Sequence, residues 1–422
     1  MRWWFVVLLA ACAAPGSGAP RSHDAPAAAQ RRASSERRYA IWLGGAQVGT
    51  AQETESWSAT GVILRRSEAM HYLRGDVAVA LAMTIEIAAD PALVPSRVTW
   101  TEQAQATRHG EAVRDATGWT VTDDAGVRRL PDRAIPAELA PLIVRRDGRF
   151  EGPVFLPARG FLAGAGRIEP VAPGRLVARL VFTPGAADAA AETTAEATID
   201  LGDDGMPIRV VDGEGVIATR ITAAEAERPF TPVDLIAATA IPLAGAPSHR
   251  VQLDGELAVP PVPGQRTQLV ADGAIIELSA RLAGGLPPGA PGADRTREIA
   301  ALVRRVRGRI APDLAADPSS ARTVAAATAG DCTTFALAYT ALAGERAIPT
   351  LVVTGFRVDR DRLVRHRWAV SWTGRAWIAV DAAFGAVPAG GDLVGLAIHD
   401  ADDLGLVAGE AALTHVRAAT WK

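Results

Sequence analysis

Between Tyr39 and Arg228, short runs alternate polar with branched or apolar residues, and this two-residue period constrains the fold more than any other feature. The clearest runs are "YAIWL" (39–43), "GVILRRSEAMHYL" (61–73), "VAVALAMTIEIA" (77–88), "RLVARLVFT" (175–183) and "AEATIDL" (195–201). Successive side chains of a strand point to opposite faces, so each run presents one apolar face to a core. Clusters such as "DDAG" (123–126) and "GDDGMP" (202–207) interrupt the runs with turn-forming residues. Neighbouring strands joined by short polar turns predict an antiparallel sheet, serving as a scaffold or spacer or else as a binding surface.

Beyond residue 228 the composition shifts to Pro and Gly, in "PPVPG" (260–264) and "GGLPPGAPG" (284–292), accompanied by strand-like "HRVQLDGEL" and "AIIELSARL". This reads as a connecting segment with some β structure. In "DRTREIAALVRRVRGRI" (294–310), Ile299, Leu302, Val303, Val306 and Ile310 recur at helical spacing, with arginines on the solvated face. The predicted organisation is a leader and tether over 1–37, a β-rich domain over 38–228, a connecting segment over 229–293 and an α+β domain over 294–422. Apolar residues make up 49% of the chain, enough for two cores, and the net charge of −3 gives no reason to expect nucleic acid.

The first residues, "MRWWFVVLLAACAAPGSGAP", place Arg2 before an apolar run from Trp3 to about Ala11. That run is shorter than the roughly 20 residues a bilayer span needs and has the layout of a secretory signal. "LAAC" (Leu9 to Cys12) resembles the lipobox of bacterial lipoproteins, which implies lipid attachment at Cys12. An ordinary cleaved signal is the alternative; either way Cys12 is not a partner for the other cysteine, Cys332. Residues 13–37 lack apolar periodicity and read as a flexible tether. The expected location is a lipid-anchored envelope protein facing the periplasm, and Ala13 after the lipidated position is compatible with the outer membrane. The strand-rich region weakly resembles the curved sheets of periplasmic lipid-handling and lipoprotein domains, without a specific motif.

Cys332 opens "CTTFALAYTALA", where Phe335, Tyr339 and Leu342 recur at helical spacing and Gly330-Asp331 can stop one segment and cap the next. In the first turn of a helix, the dipole and free N–H groups favour a thiolate. A buried cysteine acting as a small hydrophobe is the other reading. Downstream, "HRWAVSWTGRAWIAVDAAFG" (366–385) holds two alternating runs about "TGRA", with Gly374 suited to the first central position of a type II′ turn. A loop of two or four residues puts Trp368 opposite Asp381, with His366 diagonal to Asp381 on the same face and within side-chain reach. An Asp that holds one imidazole nitrogen leaves the other for a thiol.

These motifs resemble the transglutaminase-like superfamily of thiol enzymes. They are Gly330-Asp331-Cys332 with Ala336, His366-Arg367-Trp368, and Trp377 to Asp381, linked by Ile348, Pro349, Val353 and Gly355 over about 295–395. The resemblance implies a papain-like α+β fold and a catalytic Cys332–His366–Asp381 triad, with Trp368, Trp377 and Asp331 supporting the site or binding substrate. It implies acyl transfer through a Cys332 thioester, resolved by water in a peptidase or amidase or by an amine in a cross-linker. A binding module that kept the fold without the activity is the rival reading. Val370 stands where the family commonly has Glu, Leu351 where it often has Arg, and no Trp or Gln lies between Gln268 and Cys332 to complete an oxyanion hole. Small or apolar Ala369, Val370 and Ser371 offer nothing to attract an ammonium, which favours hydrolysis. One Cys, one His and one Asp without a close-spaced pair is poor zinc spacing, so no metal or other cofactor is expected. The expected partners are a peptide or protein substrate in the envelope and, through the lipid, a membrane. "HDADD" (399–403) reads as a solvated loop, with His399 a remote alternative base. The sole lysine, Lys422, and the lack of asparagine exclude a P-loop lysine, a Schiff-base lysine in the body, a Ser–Lys dyad and a Cys–His–Asn triad.

Overall fold

The computed structural model describes residues 34–124, 126–182, 193–213, 215–316, 321 and 324–422. Cys12 and the rest of the leader lie outside the described residues. The described residues form two compact units: 34–72 with Val79–Val233, and Leu73–Ala78 with Asp234–Lys422.

The first unit is built on a 15-stranded sheet in which nearly every strand pairs with its chain neighbour. Ser35–Leu43 also pairs antiparallel with Val216–Ile221, joining the early strands to the late ones. Val62–Arg74 shows why the alternation was readable, since every second residue is buried. Ala46–Trp57 shows why other strands were not. Its inward residues include Glu53 and Glu55, so it looks polar on both faces. Register sets Arg37 opposite Glu53 and Glu53 opposite Arg66, so buried charges neutralise one another across three strands. The apolar core gathers Trp119, Phe155 and Phe161, with Trp119 and Phe155 edge-to-face at 5.2 Å.

The second unit holds a sheet ordered Gln265–Val270, Gly273–Leu278, Arg250–Gly255, Val416–Trp421, Ile241–Ala244, Arg362–Trp372, Thr350–Asp359 and Leu393–His399. Trp377–Val380 pairs with Arg362–Trp372 beside this path. The stretch read as a connecting segment thus supplies strands of the C-terminal sheet, and the last strand of the chain lies between two of them. Strands of this kind are locally indistinguishable from extended linkers; their long-range partners identify them. Ile299, Leu302, Val303 and Val306 of helix Thr296–Arg309 pack against Phe335, Tyr339 and Leu342 of helix Cys332–Glu345. The arginines of the first helix are exposed except at its N-cap, where Arg295 is partly covered.

The hairpin predicted at "TGRA" forms with Trp372 paired to Trp377. Thr373 N–H donates to the Ala376 carbonyl at 2.9 Å, closing the turn. Gly374 has φ +92°, and a Cβ there would lie 2.5 Å from the Ala293 carbonyl oxygen. Both the backbone angle and the space demand glycine. Gly374→Ala is therefore expected to destabilise the protein by about 1–3 kcal/mol, read as a lowered midpoint in denaturant.

Candidate active site

Cys332 is the first residue of helix Cys332–Glu345, and Asp331 is its N-cap. Asp331 Oδ1 accepts the N–H groups of Thr333 at 2.9 Å and Thr334 at 3.4 Å. Those bonds satisfy donors that a helix start otherwise leaves open, and the Cys332 N–H is not among those the cap takes. Gly330 is required by space, since a Cβ would sit 2.2 Å from Thr334 Oγ1. The Gly-Asp-Cys motif is thus a compact device for starting a helix on a cysteine. The Cys332 side chain is half-buried.

His366 and Asp381 come together as the hairpin register predicts. His366 Nε2 and Asp381 Oδ2 are 2.8 Å apart, and both side chains are buried. Asp381 is held from the backbone side too: its Oδ1 accepts Phe384 N–H at 3.2 Å, and its main chain exchanges two hydrogen bonds with Ala386. With Nε2 committed to the carboxylate, Nδ1 is the nitrogen left for a thiol, and Cys332 and His366 shift one another's protonation.

Electrostatics favour an ion pair. Burial and the neighbouring Asp331 carboxylate push the Cys332 thiol up, and His366 pulls it down; on balance it lies below its ordinary value. Burial opposes protonation of His366, yet the bonds to Asp381 and Cys332 lift the imidazolium to about 10. Burial raises Asp381, but His366, the Phe384 N–H and Arg357 together hold it below its ordinary value. A thiolate beside an imidazolium is the state a cysteine nucleophile needs.

The supporting residues divide. Trp368 is fully buried and stacks on the His366 ring at 6.0 Å, limiting imidazole rotation. Trp377 instead packs on Trp372 at 5.8 Å and donates its Nε1–H to the Pro287 carbonyl at 2.7 Å, tying the Pro/Gly-rich stretch to the hairpin. Its role lies in packing rather than at the thiol. Ala369, Val370 and Ser371 are fully buried in the packing of the sheet, so their small size says nothing about which nucleophile the site accepts. His399 bonds Thr354 Oγ1 at 2.9 Å and the Asp400 carbonyl at 2.8 Å. Burial and the Arg367 charge bring it down to about 3, so it is a neutral structural group.

Three site neighbours escaped sequence reasoning. Arg367 donates to Thr333 Oγ1 at 2.9 Å and to Glu410 Oε1 at 2.8 Å, tying the helix start to the sheet and to helix Asp403–Thr414. Phe384, an exposed aromatic, meets the His366 ring edge-on at 5.5 Å, with the Arg357 guanidinium 3.5 Å over its own ring. Arg74, from the tip Leu73–Ala78, contacts Asp331. Arg367, inside His366-Arg367-Trp368, and Phe384, three residues past Asp381, lie beside motif residues; Arg74 left no trace in the sequence. Among the described residues, no cluster of three or more His, Cys, Asp or Glu side chains is placed to hold a metal ion.

Residues 278–382 match the family model of the transglutaminase-like superfamily. This segment is a transglutaminase-like superfamily domain. Cys332, His366 and Asp381 all fall inside the matched residues. Comparison with curated proteins gave no match. Among solved structures, a β-barrel-like protein of domain of unknown function DUF1849 from Brucella abortus aligns with a TM-score of 0.34 at 9% identity. That alignment covers 44% of this chain and 95% of the other.

The shifts define a pH window. A raised histidine contributes stability in full below its unfolded value near 6.5, and loses it as pH rises through about 10. A lowered thiol contributes above its unfolded value and loses it as pH falls through the folded one. Alkylation of Cys332 should therefore stay fast well below pH ~8.5, and His366→Ala should move its midpoint up toward that value. A wild-type profile with an ordinary thiol midpoint would count against the ion pair.

Proposed function

We propose that this protein is a thiol acyl-transfer enzyme of the cell envelope, a peptidase or amidase working through a Cys332 thioester. The observation that carries the reading is the relay Cys332–His366–Asp381, with the thiol at a helix start and the imidazole held at Nε2. The matched family segment and the helix packed against the hairpin sheet support a papain-like α+β domain.

In this reading the Cys332 thiolate attacks the amide carbonyl carbon, forming a C–S bond while the carbonyl π pair moves onto oxygen. The Cys332 N–H, left open by the cap, would stabilise that oxyanion. Imidazolium His366 gives its Nδ1 proton to the leaving nitrogen; the C–N bond breaks and the thioester forms. Water then adds to the acyl carbon, losing a proton to His366, and the C–S bond breaks to return the thiolate and an acid. Asp381 keeps the imidazole in one orientation and stabilises its positive form.

Hydrolysis is the fate we favour because water needs only access to the acyl carbon, whereas an amine acceptor needs a site that holds it. Phe384 meets the His366 ring edge-on under the Arg357 guanidinium, which is itself paired with Asp392 at 2.9 Å. The purified protein is expected to release product from a peptide library, with Cys332→Ala lowering the rate at least ~10³-fold and Asp381→Asn roughly 10²- to 10⁴-fold. Faster incorporation of a labelled primary amine than of water would replace the hydrolase by a cross-linker. An unreactive wild-type thiol would leave only a binding module.

The envelope assignment rests on "LAAC" and the run before it. Lipid at Cys12 would anchor the protein facing the periplasm, with Ala13 consistent with the outer membrane. Cys12→Ser is expected to abolish incorporation of a fatty-acid analogue; unchanged labelling would sink the anchor.

A further inference from the structure

Asp331 places a carboxylate one residue from the thiol. That position is awkward for a nucleophile, because a buried negative charge opposes formation of a second one beside it. The cap needs only a side-chain oxygen, and an amide would serve nearly as well. The structure shows how the charge is offset. The tip Leu73–Ala78 of the hairpin between Val62–Arg74 and Val77–Ala89 belongs to the same compact unit as the Cys332 helix. Gly75 N–H donates to Asp234 Oδ1 at 2.8 Å, and Leu73 forms a bridge with Asp234, so the tip is fastened to both the side chain and the main chain of Asp234. From it, Arg74 Nη2 reaches Asp331 Oδ2 at 2.6 Å while Nη1 donates to the Leu314 carbonyl at 2.8 Å. Both charged side chains are buried, at 7% and 2% exposure.

We propose that Arg74 is a positioning residue for Cys332: it clamps the outer oxygen of Asp331, sets the helix start and neutralises the carboxylate beside the nucleophile. This inference rests on the reading of Cys332 as the nucleophile. The two Asp331 oxygens have separate tasks, Oδ1 on the cap and Oδ2 on Arg74, so the carboxylate cannot turn without losing one of them. Burial pushes the Asp331 carboxyl up, and the Arg74 charge and hydrogen bond help hold it well below the usual range, so it is ionised whenever the thiol is. The other charges around Cys332 are His366 with Asp381 from the hairpin and, through Thr333, Arg367 paired with Glu410. Arg74 acts on Asp331 directly, by donating to its Oδ2.

The test is the pH profile of Cys332 alkylation by iodoacetamide in the full-length protein, with peptide hydrolysis in parallel. Arg74→Met keeps the length of the side chain and removes its charge. It should raise the thiol midpoint by ~1 unit and slow alkylation about tenfold below that midpoint, while kcat falls and KM holds. Arg74→Met/Asp331→Asn removes both charges, retains an amide cap and should return the midpoint to the wild-type value or below. Arg74→Lys should keep the midpoint close to wild type; it also reports on the charge if the methionine variant fails to fold. A folded Arg74→Met protein with the wild-type midpoint would overturn the inference and reduce Arg74 to a structural tie. So would a raised midpoint that the added Asp331→Asn leaves in place. If wild-type Cys332 itself titrates as an ordinary thiol, the nucleophile reading fails first, and that outcome is visible before any Arg74 variant is made.

Discussion

The site depends on keeping a positive imidazole inside the protein. Removing a charge from water is expensive unless opposite charges and hydrogen bonds replace the solvent on more than one side. His366 has that arrangement: Asp381 holds Nε2, the Cys332 thiol interacts electrostatically with the ring, and Trp368 and Phe384 cover it. Each neighbour then acquires its own requirement. Asp381 is held by the Phe384 N–H and by its bridge to Ala386, and Cys332 needs the cap and the helix start.

Those requirements explain much of the packing in the second unit. The turn at Gly374 sets which residues of the hairpin face each other, and a slip of one residue would send His366 and Asp381 to opposite faces. The helix that carries Cys332 is buried along most of its length and has almost no polar side, so it depends on helix Thr296–Arg309 and the sheet to cover it. Tyr339, on that helix, pairs its hydroxyl with Ser371 at 2.7 Å, and Ser371 meets Thr350 at 2.9 Å. Helix, hairpin and neighbouring strand are thus fixed together by one short polar chain, which satisfies three hydroxyls otherwise stranded in a core.

The first unit uses buried charge differently. Arg37, Glu53 and Arg66 stand opposite one another on successive strands, where apolar residues would have made a simpler interior. Arg37 also pairs with Glu55 and Arg66 with Glu68, so the row belongs to a wider buried network that specifies register as well as composition. Such rows also conceal strands from a reader of hydrophobic alternation, as Ala46–Trp57 shows.

Local chemistry made a large part of this protein legible. The alternation at 61–73 and 77–88 announced paired strands; Ile299 to Val306 announced a one-sided helix; and the spacing from His366 to Asp381 across a short turn announced their contact. Each of these rests on bonds or facings between residues close in the chain, where geometry follows from spacing. Contacts between distant residues were decided by the tertiary structure alone. Nothing near Arg74 in the chain points to Asp331, which lies 257 residues away. Nothing near 241–278 says that its strands flank the last strand of the chain. Arg367 is only the middle of His366-Arg367-Trp368 in the sequence until Glu410 and Thr333 are brought beside it, and Ala369 to Ser371 read as site residues until the sheet buries them. A charge is legible in sequence, but whether it is solvated, paired or set against a thiol depends on what the fold places within a few ångströms of it.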